Sequence, residues 1–163
     1  MPKSIEEILT DVIKAEGPET NDSTDRGGRT AFGISEKSNP VAWSDGRVTE
    51  EEARAIYERK YVISPGFDKI GDSKLKEQLI DFGVNSGPQL AIMGLQRVLN
   101  ITADGLLGPK TLAVLDANTY RVRIISNQLA IARIKMFGRI VKKDPSQLKY
   151  LNGWLNRACE WII

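Results

Sequence analysis

One acidic residue, Glu16, ends an apolar helical pattern and opens a loop rich in glycine and polar groups. A capping box at Ser4 and Glu7 predicts where the helix begins, and apolar residues recur at helical spacing from Ile5 to Ile13. Glu16 stands eleven positions after Ile5, about three turns, so it projects from the same face. Loss of water and the negative end of the helix dipole favour a protonated carboxyl there. We therefore expect Glu16 to donate a proton near neutral pH.

The composition of the chain leaves carboxylates as the side chains for proton transfer at ordinary pH. The chain has no histidine and one cysteine, Cys159, so it has no Ser-His-Asp or Cys-His catalysis and no intramolecular disulfide. A zinc amidase is disfavoured for the same reason. Cys159 lies on an apolar helical stripe, which indicates a small buried hydrophobe rather than a nucleophile. Carboxylates are the groups that a glycosidase uses for proton transfer.

Several motifs in order resemble one known family. Residues 16–34 contain a Glu-Gly pair, an Asn-Asp-x-x-Asp-x-Gly-Gly-x-Thr turn and a closing Phe-Gly-Ile, and they resemble the catalytic segment of glycoside hydrolase family 108. Residues 150–157 resemble the peptidoglycan-binding region that accompanies it. The family usually has glycine where this chain has Pro18. Further motifs of the family follow at residues 82–87, 95–96 and 104–111. The resemblance covers nearly the whole chain and implies a muramidase with a lysozyme-like fold.

The resemblance also implies roles around Glu16. Glu16 would be the general acid, Asp25 the base or electrostatic stabiliser, and Thr30 the residue that holds the attacking water. The lysozymes of tailed phages have similar spacing, except that Thr30 here is one residue closer to the aspartate. The resemblance to these lysozymes favours an inverting reaction. Asp25 also precedes a Gly-Gly pair, where aspartate often serves turn formation alone. Asp22 is the competing second carboxylate.

Four further side chains are candidates for substrate binding. Asn85 and Gln89 carry amides suited to sugar hydroxyls and N-acetyl groups. Trp43 and Tyr57 are able to stack on a sugar face, although a buried aromatic anchor is the alternative for both. The acids of residues 21–25 lack the alternation and the terminal glutamate of an EF-hand loop, so we expect no metal site and no cofactor.

The elements that must position these groups are mostly helical. The patterns predict a small β-hairpin within residues 17–35 and a loop over 36–48. They predict helices at about 4–16, 49–61, 74–85 and 119–142. Three more helices are predicted to begin at residues 88, 109 and 144. The long helix at 119–142 is apolar on most of its circumference, including Ile124 and Ile131, so we expect it to be central and buried.

These elements predict a mainly α (α+β), lysozyme-like fold, a helical bundle around a long central helix with a small N-terminal hairpin. At 163 residues the chain is long enough for one domain, 1–163, with a catalytic segment at 1–90 and a helical peptidoglycan-binding segment at 91–163. Those segments carry net charges of −5 and +7. The basic segment is able to attract an anionic wall polymer or outer-membrane surface, although a solvated helical surface is the alternative.

We therefore expect an N-acetylmuramidase that cleaves the β-1,4 bond between N-acetylmuramic acid and N-acetylglucosamine in the glycan strand, acting as a monomeric phage endolysin. A lytic transglycosylase and a non-catalytic cell-wall-binding protein are the alternatives. The N-terminus has no apolar signal-peptide core, and no run of eighteen apolar residues exists. We accordingly expect synthesis in the host bacterial cytoplasm, action on the cell wall in the periplasm, and a holin-type membrane partner.

Overall fold

The computed structural model describes residues 3–17 and 29–162. The chain divides into two compact units, an N-terminal unit, Lys3–Ser64, and a C-terminal unit that begins at Pro65. This division falls earlier in the sequence than the expected change of segment after residue 90. The expectation that 1–163 form a single domain stays a prediction.

Over residues 3–17 and 29–64, the N-terminal unit contains two helices and a two-stranded antiparallel hairpin. Helix α1 spans Ile5–Glu16, strands β1 and β2 span Thr30–Ala31 and Ile34–Ser35, and helix α2 spans Glu50–Glu58. A short π-helix, Arg59–Ile63, continues directly from α2. The hairpin, the loop after it and both helices therefore lie within a few residues of the predicted positions.

Local capping starts both helices of this unit. The Ser4 hydroxyl accepts from the backbone N–H of Glu7, and the Glu7 carboxylate accepts from the backbone N–H of Ser4. Thr49 and Glu52 form the same reciprocal pair at the start of α2. Both predicted capping boxes are confirmed, and each satisfies backbone donors that the first turn leaves unpaired.

A small hydrophobic core joins the helices of this unit to its hairpin. It contains side chains from α1, both strands, the loop and α2: Leu9, Ile13, Ala31, Ile34, Trp43, Val48, Ala53 and Tyr57. The guanidinium of Arg54 on α2 also contacts α1, since it pairs with Glu6 and donates to the Thr10 hydroxyl at 2.8 Å. The hairpin is thus held against both helices by burial of apolar surface.

The C-terminal unit is a helical bundle. Its helices are α3 (Ser73–Ser86), α4 (Pro88–Val98), α5 (Pro109–Asp116), α6 (Val122–Lys143) and α7 (Leu148–Cys159). Short 3-10 helices lie at Phe67–Lys69, Thr119–Arg121 and Pro145–Gln147. Helix α6, with 22 residues, packs against α3, α4 and α7. None of the helices in the described ranges has both the length and the apolar character that crossing a membrane requires.

A buried ionic cluster fixes α3, α6 and α7 together. The carboxylate of Asp81 accepts from Arg133 at 2.6 Å, from Arg157 at 2.7 Å and from the Trp161 indole N–H at 3.2 Å. Burial lowers the pKa of Arg133, and the charge of Asp81 opposes that shift. The guanidinium also lies 4.9 Å from the centre of the Phe82 ring. The cluster therefore supplies a buried cation with both an anion and an aromatic face.

The predicted fold class is confirmed: the chain is mainly helical with one small hairpin. Two finer expectations were wrong. Ile124 and Ile131 on α6 are exposed, because three neighbouring helices cover only part of its circumference. Cys159, expected to be buried, is an exposed free cysteine at the last position of α7.

Candidate active site

The end of α1 places Glu16, the last residue of that helix. Gly17 follows with a φ of +74°, a conformation that glycine adopts readily, and its N–H donates to the carbonyl of Ile13 at 3.2 Å. The carbonyl of Gly17 then accepts from the backbone N–H of Phe32 at 3.0 Å. The end of the helix is therefore fixed directly to the tip of the hairpin.

That tip is a two-residue turn with both residues in the left-handed region. Phe32 has a φ of +51° and Gly33 a φ of +73°, between the paired residues Ala31 and Ile34. This is the pattern of a type I′ hairpin turn, although a bulky residue such as phenylalanine rarely adopts it. The hydroxyl of Tyr57 on α2 donates to the carbonyl of Phe32 at 2.7 Å and so supports the turn from below.

The carboxyl of Glu16 and the hydroxyl of Tyr57 lie on the same side of Gly33. A Cβ atom added to Gly33 would stand 2.8 Å from Oε2 of Glu16 and 2.5 Å from the Tyr57 oxygen. Burial, and then the nearby charge of Glu16, raise the pKa of Tyr57 to about 12. The tyrosine therefore stays protonated across the ordinary pH range and acts as a hydrogen-bond donor beside the carboxyl.

Glu16 itself is exposed, whereas Ile13, one turn earlier, is buried. The expectation that its carboxyl loses water by lying on the core face was wrong, because the core beneath α1 ends before the last turn. The side chain instead lies against the backbone of the hairpin turn, with its other side open to solvent. A carboxyl in this position is reachable by a large substrate and is backed by a fixed surface.

The candidates for a second catalytic group are Asp25, Asp22 and Thr30. Asp25 and Asp22 lie outside the described residues. Thr30 is described: it is half-buried on β1, opposite Ser35, in the same hairpin that contacts Glu16. The roles assigned to Asp25 and Thr30 stay predictions. Within the described ranges, no group of three or more histidine, cysteine, aspartate and glutamate residues is arranged to hold a metal ion.

Trp43 and Tyr57 are anchors of the hairpin rather than open platforms for a sugar. Trp43 is 4% exposed and Tyr57 is 5% exposed. The indole N–H of Trp43 donates to the carbonyl of Ile34 at 3.1 Å, and the guanidinium of Arg29 lies over its ring at 4.8 Å. The stacking role suggested for both residues was wrong, since the faces that it needs are covered.

Asn85 and Gln89 lie in the C-terminal unit, near the junction of α3 and α4. The side-chain oxygen of Asn85 accepts from the Ser86 hydroxyl at 3.2 Å. The aliphatic part of Gln89 covers Gly105, where an added Cβ would stand 2.5 Å from its Cγ. Their contacts with substrate stay predictions.

The Asp104-to-Thr111 motif is organised around one buried amide. The side chain of Gln96 donates to Asp104 at 2.7 Å and to Thr111 at 3.1 Å, and it accepts from the N–H of Gly105 at 2.9 Å. Hydrogen bonds from the Leu106 N–H and then from Gln96 lower the pKa of Asp104. The motif therefore has a structural role, that of fixing the loop before α5.

The assignment of Glu16 stays a prediction, and sequence reasoning did not single out Gly33, which the structure places against its carboxyl. The Phe-Gly pair at the hairpin tip was the available signal, because a glycine at the second turn position often marks a required positive φ. What the sequence did not show is that this glycine leaves room for a carboxyl and a hydroxyl.

Comparison with known proteins gives two family matches. Residues 9–87 match Glycosyl hydrolase 108, and residues 90–159 match the family described as Predicted Peptidoglycan domain. Among solved structures, the chain is similar to the Brucella abortus protein SagA, with 26% identity and a TM-score of 0.66 over 94% of this chain and 88% of that one. No match is found among curated proteins.

Proposed function

We propose that the protein is an N-acetylmuramidase. The matches of residues 9–87 to Glycosyl hydrolase 108 and of residues 90–159 to Predicted Peptidoglycan domain support a glycoside hydrolase that acts on peptidoglycan. The bond cleaved is the β-1,4 link between N-acetylmuramic acid and N-acetylglucosamine. The supporting observation is the position of Glu16 at the end of α1, with its carboxyl against Gly33 and beside the Tyr57 hydroxyl.

In this proposal Glu16 acts as the general acid. Glycoside hydrolysis requires a carboxylic acid that protonates the leaving oxygen while positive charge develops on the sugar ring. The backbone that carries Glu16 is fixed by hydrogen bonds to the hairpin, and the carboxyl remains open to a glycan strand. Fixing the proton donor before the substrate arrives reduces the entropy lost in the reaction.

Asp25 and Thr30 complete the proposed mechanism. Asp25 would accept a proton from water on the opposite face of the sugar, or stabilise the charge that develops there, with Asp22 as the competing carboxylate. Thr30, on the hairpin that contacts Glu16, would hold that water. The resemblance to tailed-phage lysozymes favours inversion of configuration.

A Glu16→Gln variant tests the assignment. Glutamine keeps the size and polarity of the side chain but has no acidic proton to transfer, so we expect loss of wall lysis with an unchanged circular dichroism spectrum and unchanged binding to purified walls. Glu58→Gln, at the exposed end of α2, is the matched control and should retain lysis. A folded Glu16→Gln protein that still lyses walls would rule out this role.

The products distinguish the muramidase from the lytic transglycosylase. Mass spectrometry of the released muropeptides should show the mass of one added water and a reducing N-acetylmuramic acid end. A product with a 1,6-anhydro ring would instead identify a transglycosylase. Binding to walls without any soluble product would identify a non-catalytic wall-binding protein.

The biological setting belongs to the same proposal. The protein would act on the cell wall from the periplasmic side as a monomeric phage endolysin, after a holin-type partner opens the inner membrane. The basic C-terminal half would favour approach to an anionic wall or outer-membrane surface. Expression in bacteria with and without a holin tests this, since lysis is expected only with the holin.

A further inference from the structure

A groove runs between α4 and α6 in the C-terminal unit. Its volume is about 350 Å³, which lies within the range of small-ligand sites. Its floor is apolar, formed by the buried ring of Phe82 together with Leu90, Gly94, Ala132 and Met136. All of the groove lies within one compact unit of the structure.

Three cations surround this apolar floor. Arg97 comes from α4, and Lys135 and Arg139 come from α6, and all three are exposed. No acidic residue lines the groove, and within the described part of the chain none of the three forms an ion pair with a carboxylate. Unpaired like charges around one groove repel each other, and a bound anion relieves that repulsion.

The helical spacing explains why charge and apolar surface meet here. On α6, Ala132, Lys135, Met136 and Arg139 follow the i, i+3, i+4, i+7 pattern of a single face. The packing beneath is tight: a Cβ added to Gly94 would lie 3.1 Å from Leu129 and 3.3 Å from the Phe82 ring. The floor is therefore a packed surface, and the three cations stand on the two helices that border it.

We propose that this groove binds the peptide stem of peptidoglycan through the carboxylates of that stem. The proposal rests on the proposed function, since it names the part of the same substrate that the C-terminal unit contacts. Stem peptides combine small methyl side chains with free carboxylates. Methyl groups suit the apolar floor, and carboxylates form charge-assisted hydrogen bonds with arginine and lysine.

The lining favours a peptide over the other anionic or wall-derived ligands. Its described residues include no side-chain amide or hydroxyl group, and the one aromatic ring among them, Phe82, is 2% exposed, so the groove offers no open face for a sugar ring to stack on. The same buried ring offers no face for the stacking of nucleic-acid bases. The apolar surface lies in a recess between two helices, whereas insertion into a lipid surface needs an apolar face that protrudes.

The test is a binding titration of the full chain with the synthetic tetrapeptide L-alanyl-γ-D-glutamyl-L-lysyl-D-alanine, followed by NMR. An analogue with both free carboxyls amidated is the ligand control. The groove variant is Arg97→Gln/Arg139→Gln. The matched variant is Lys142→Gln/Lys143→Gln, which removes the same charge from exposed positions at the end of α6.

We expect the tetrapeptide to bind wild type and the matched variant with affinities within about twofold of each other. Binding to the groove variant, and binding of the amidated analogue to wild type, should each be weaker by about tenfold or more. Loss of affinity in both double variants alike would indicate general electrostatic attraction and overturn the proposal.

Two other results would also overturn it. The first is the absence of tetrapeptide binding to wild type. The second is that the protein binds vesicles of anionic phospholipid through the groove cations and does not bind the tetrapeptide. The muropeptide digest tests the proposed function separately. A muramidase product without binding of the tetrapeptide would refute only the proposal for the groove. Binding of the tetrapeptide without any cleavage product would refute the enzyme assignment.

Discussion

Substitution of Gly33 by alanine tests the geometry around Glu16 with the smallest possible change, one methyl group. The new Cβ would stand 2.5 Å from the Tyr57 oxygen and 2.8 Å from Oε2 of Glu16, both closer than nonbonded atoms approach. The glutamate is the end of an exposed side chain and can rotate away. Tyr57 is buried and bonded to Phe32, so it moves only with a break in that hydrogen bond.

The structure allows a rough magnitude for this variant. Alanine in the left-handed conformation that Gly33 adopts, with a φ of +73°, costs about 1–2 kcal/mol. Loss or distortion of the Tyr57–Phe32 hydrogen bond adds about 1 kcal/mol. We expect the free energy of unfolding to fall by about 2–3 kcal/mol. Displacement of the Glu16 carboxyl by about 1 Å would lower the hydrolysis rate by about a hundredfold.

Gly46→Ala is the matched control. Gly46 also lies in the N-terminal unit and has a φ of +84°, but nothing lies within 4 Å of an added Cβ. It therefore carries the backbone cost alone, about 1–2 kcal/mol, and should leave the hydrolysis rate unchanged. Urea unfolding gives the stability of both variants, and release of reducing ends from purified walls gives the rate.

A second substitution separates the steric clash of the new methyl group with Tyr57 from its clash with Glu16. In the double variant Gly33→Ala/Tyr57→Phe the hydroxyl is gone, so part of the lost stability should return relative to the sum of the single effects. If Gly33→Ala proves as stable and as active as Gly46→Ala, then the contact of Glu16 and Tyr57 with this glycine has no role, and the reasoning fails.

Two further predictions concern Tyr57 and Asp81. Burial and the charge of Glu16 raise the pKa of Tyr57 to about 12, so its neutral form stabilises the fold below pH 10. We expect wild type to lose up to about 3 kcal/mol of stability between pH 10 and 12 that Tyr57→Phe does not lose, and equal losses in urea unfolding would contradict this. Asp81→Asn leaves the buried Arg133 without its anion and should lower the free energy of unfolding, measured in urea, by about 3–5 kcal/mol. The control Asp45→Asn, in an exposed pair, should lower it by less than about 1 kcal/mol. Equal losses in the two variants would refute the role of the cluster.

Much of the fold could be predicted because its signals are local. Capping boxes and proline positions act within one turn of the helix that they start, so the beginnings of α1, α2, α4 and α5 follow from short motifs. The exposure of Ile124 and Ile131 does not follow, because it depends on how many helices surround α6. Hydropathy reports which residues are able to be buried, and packing decides which ones are.

The candidate site, like the fold, has a part that local sequence predicts and a part that depends on tertiary packing. The choice of Glu16 as the proposed acid follows from a local feature, its place at a helix end before a loop rich in glycine. Its surroundings depend on Tyr57, which a later helix contributes, and on the turn at Gly33. A stripe of apolar residues predicts the direction of a side chain but not where the core ends, so the expected burial of the Glu16 carboxyl was wrong.

The backbone at the end of α1 is fixed next to the hairpin turn, while the exposed side chain of Glu16 keeps its freedom to rotate towards a substrate. Gly17 accepts a hydrogen bond from Phe32, and the carbonyl of Phe32 accepts one from the buried Tyr57, so the helix end, the turn and the core form one connected chain of contacts. A buried carboxyl would be fixed more firmly, but a glycan strand could not reach it. The left-handed conformation of Phe32, unusual for a bulky residue, is the strain that this arrangement carries, and strain of this kind is concentrated at functional sites. The proposed role of Glu16 in hydrolysis is therefore consistent with both the exposed carboxyl and the left-handed turn beside it.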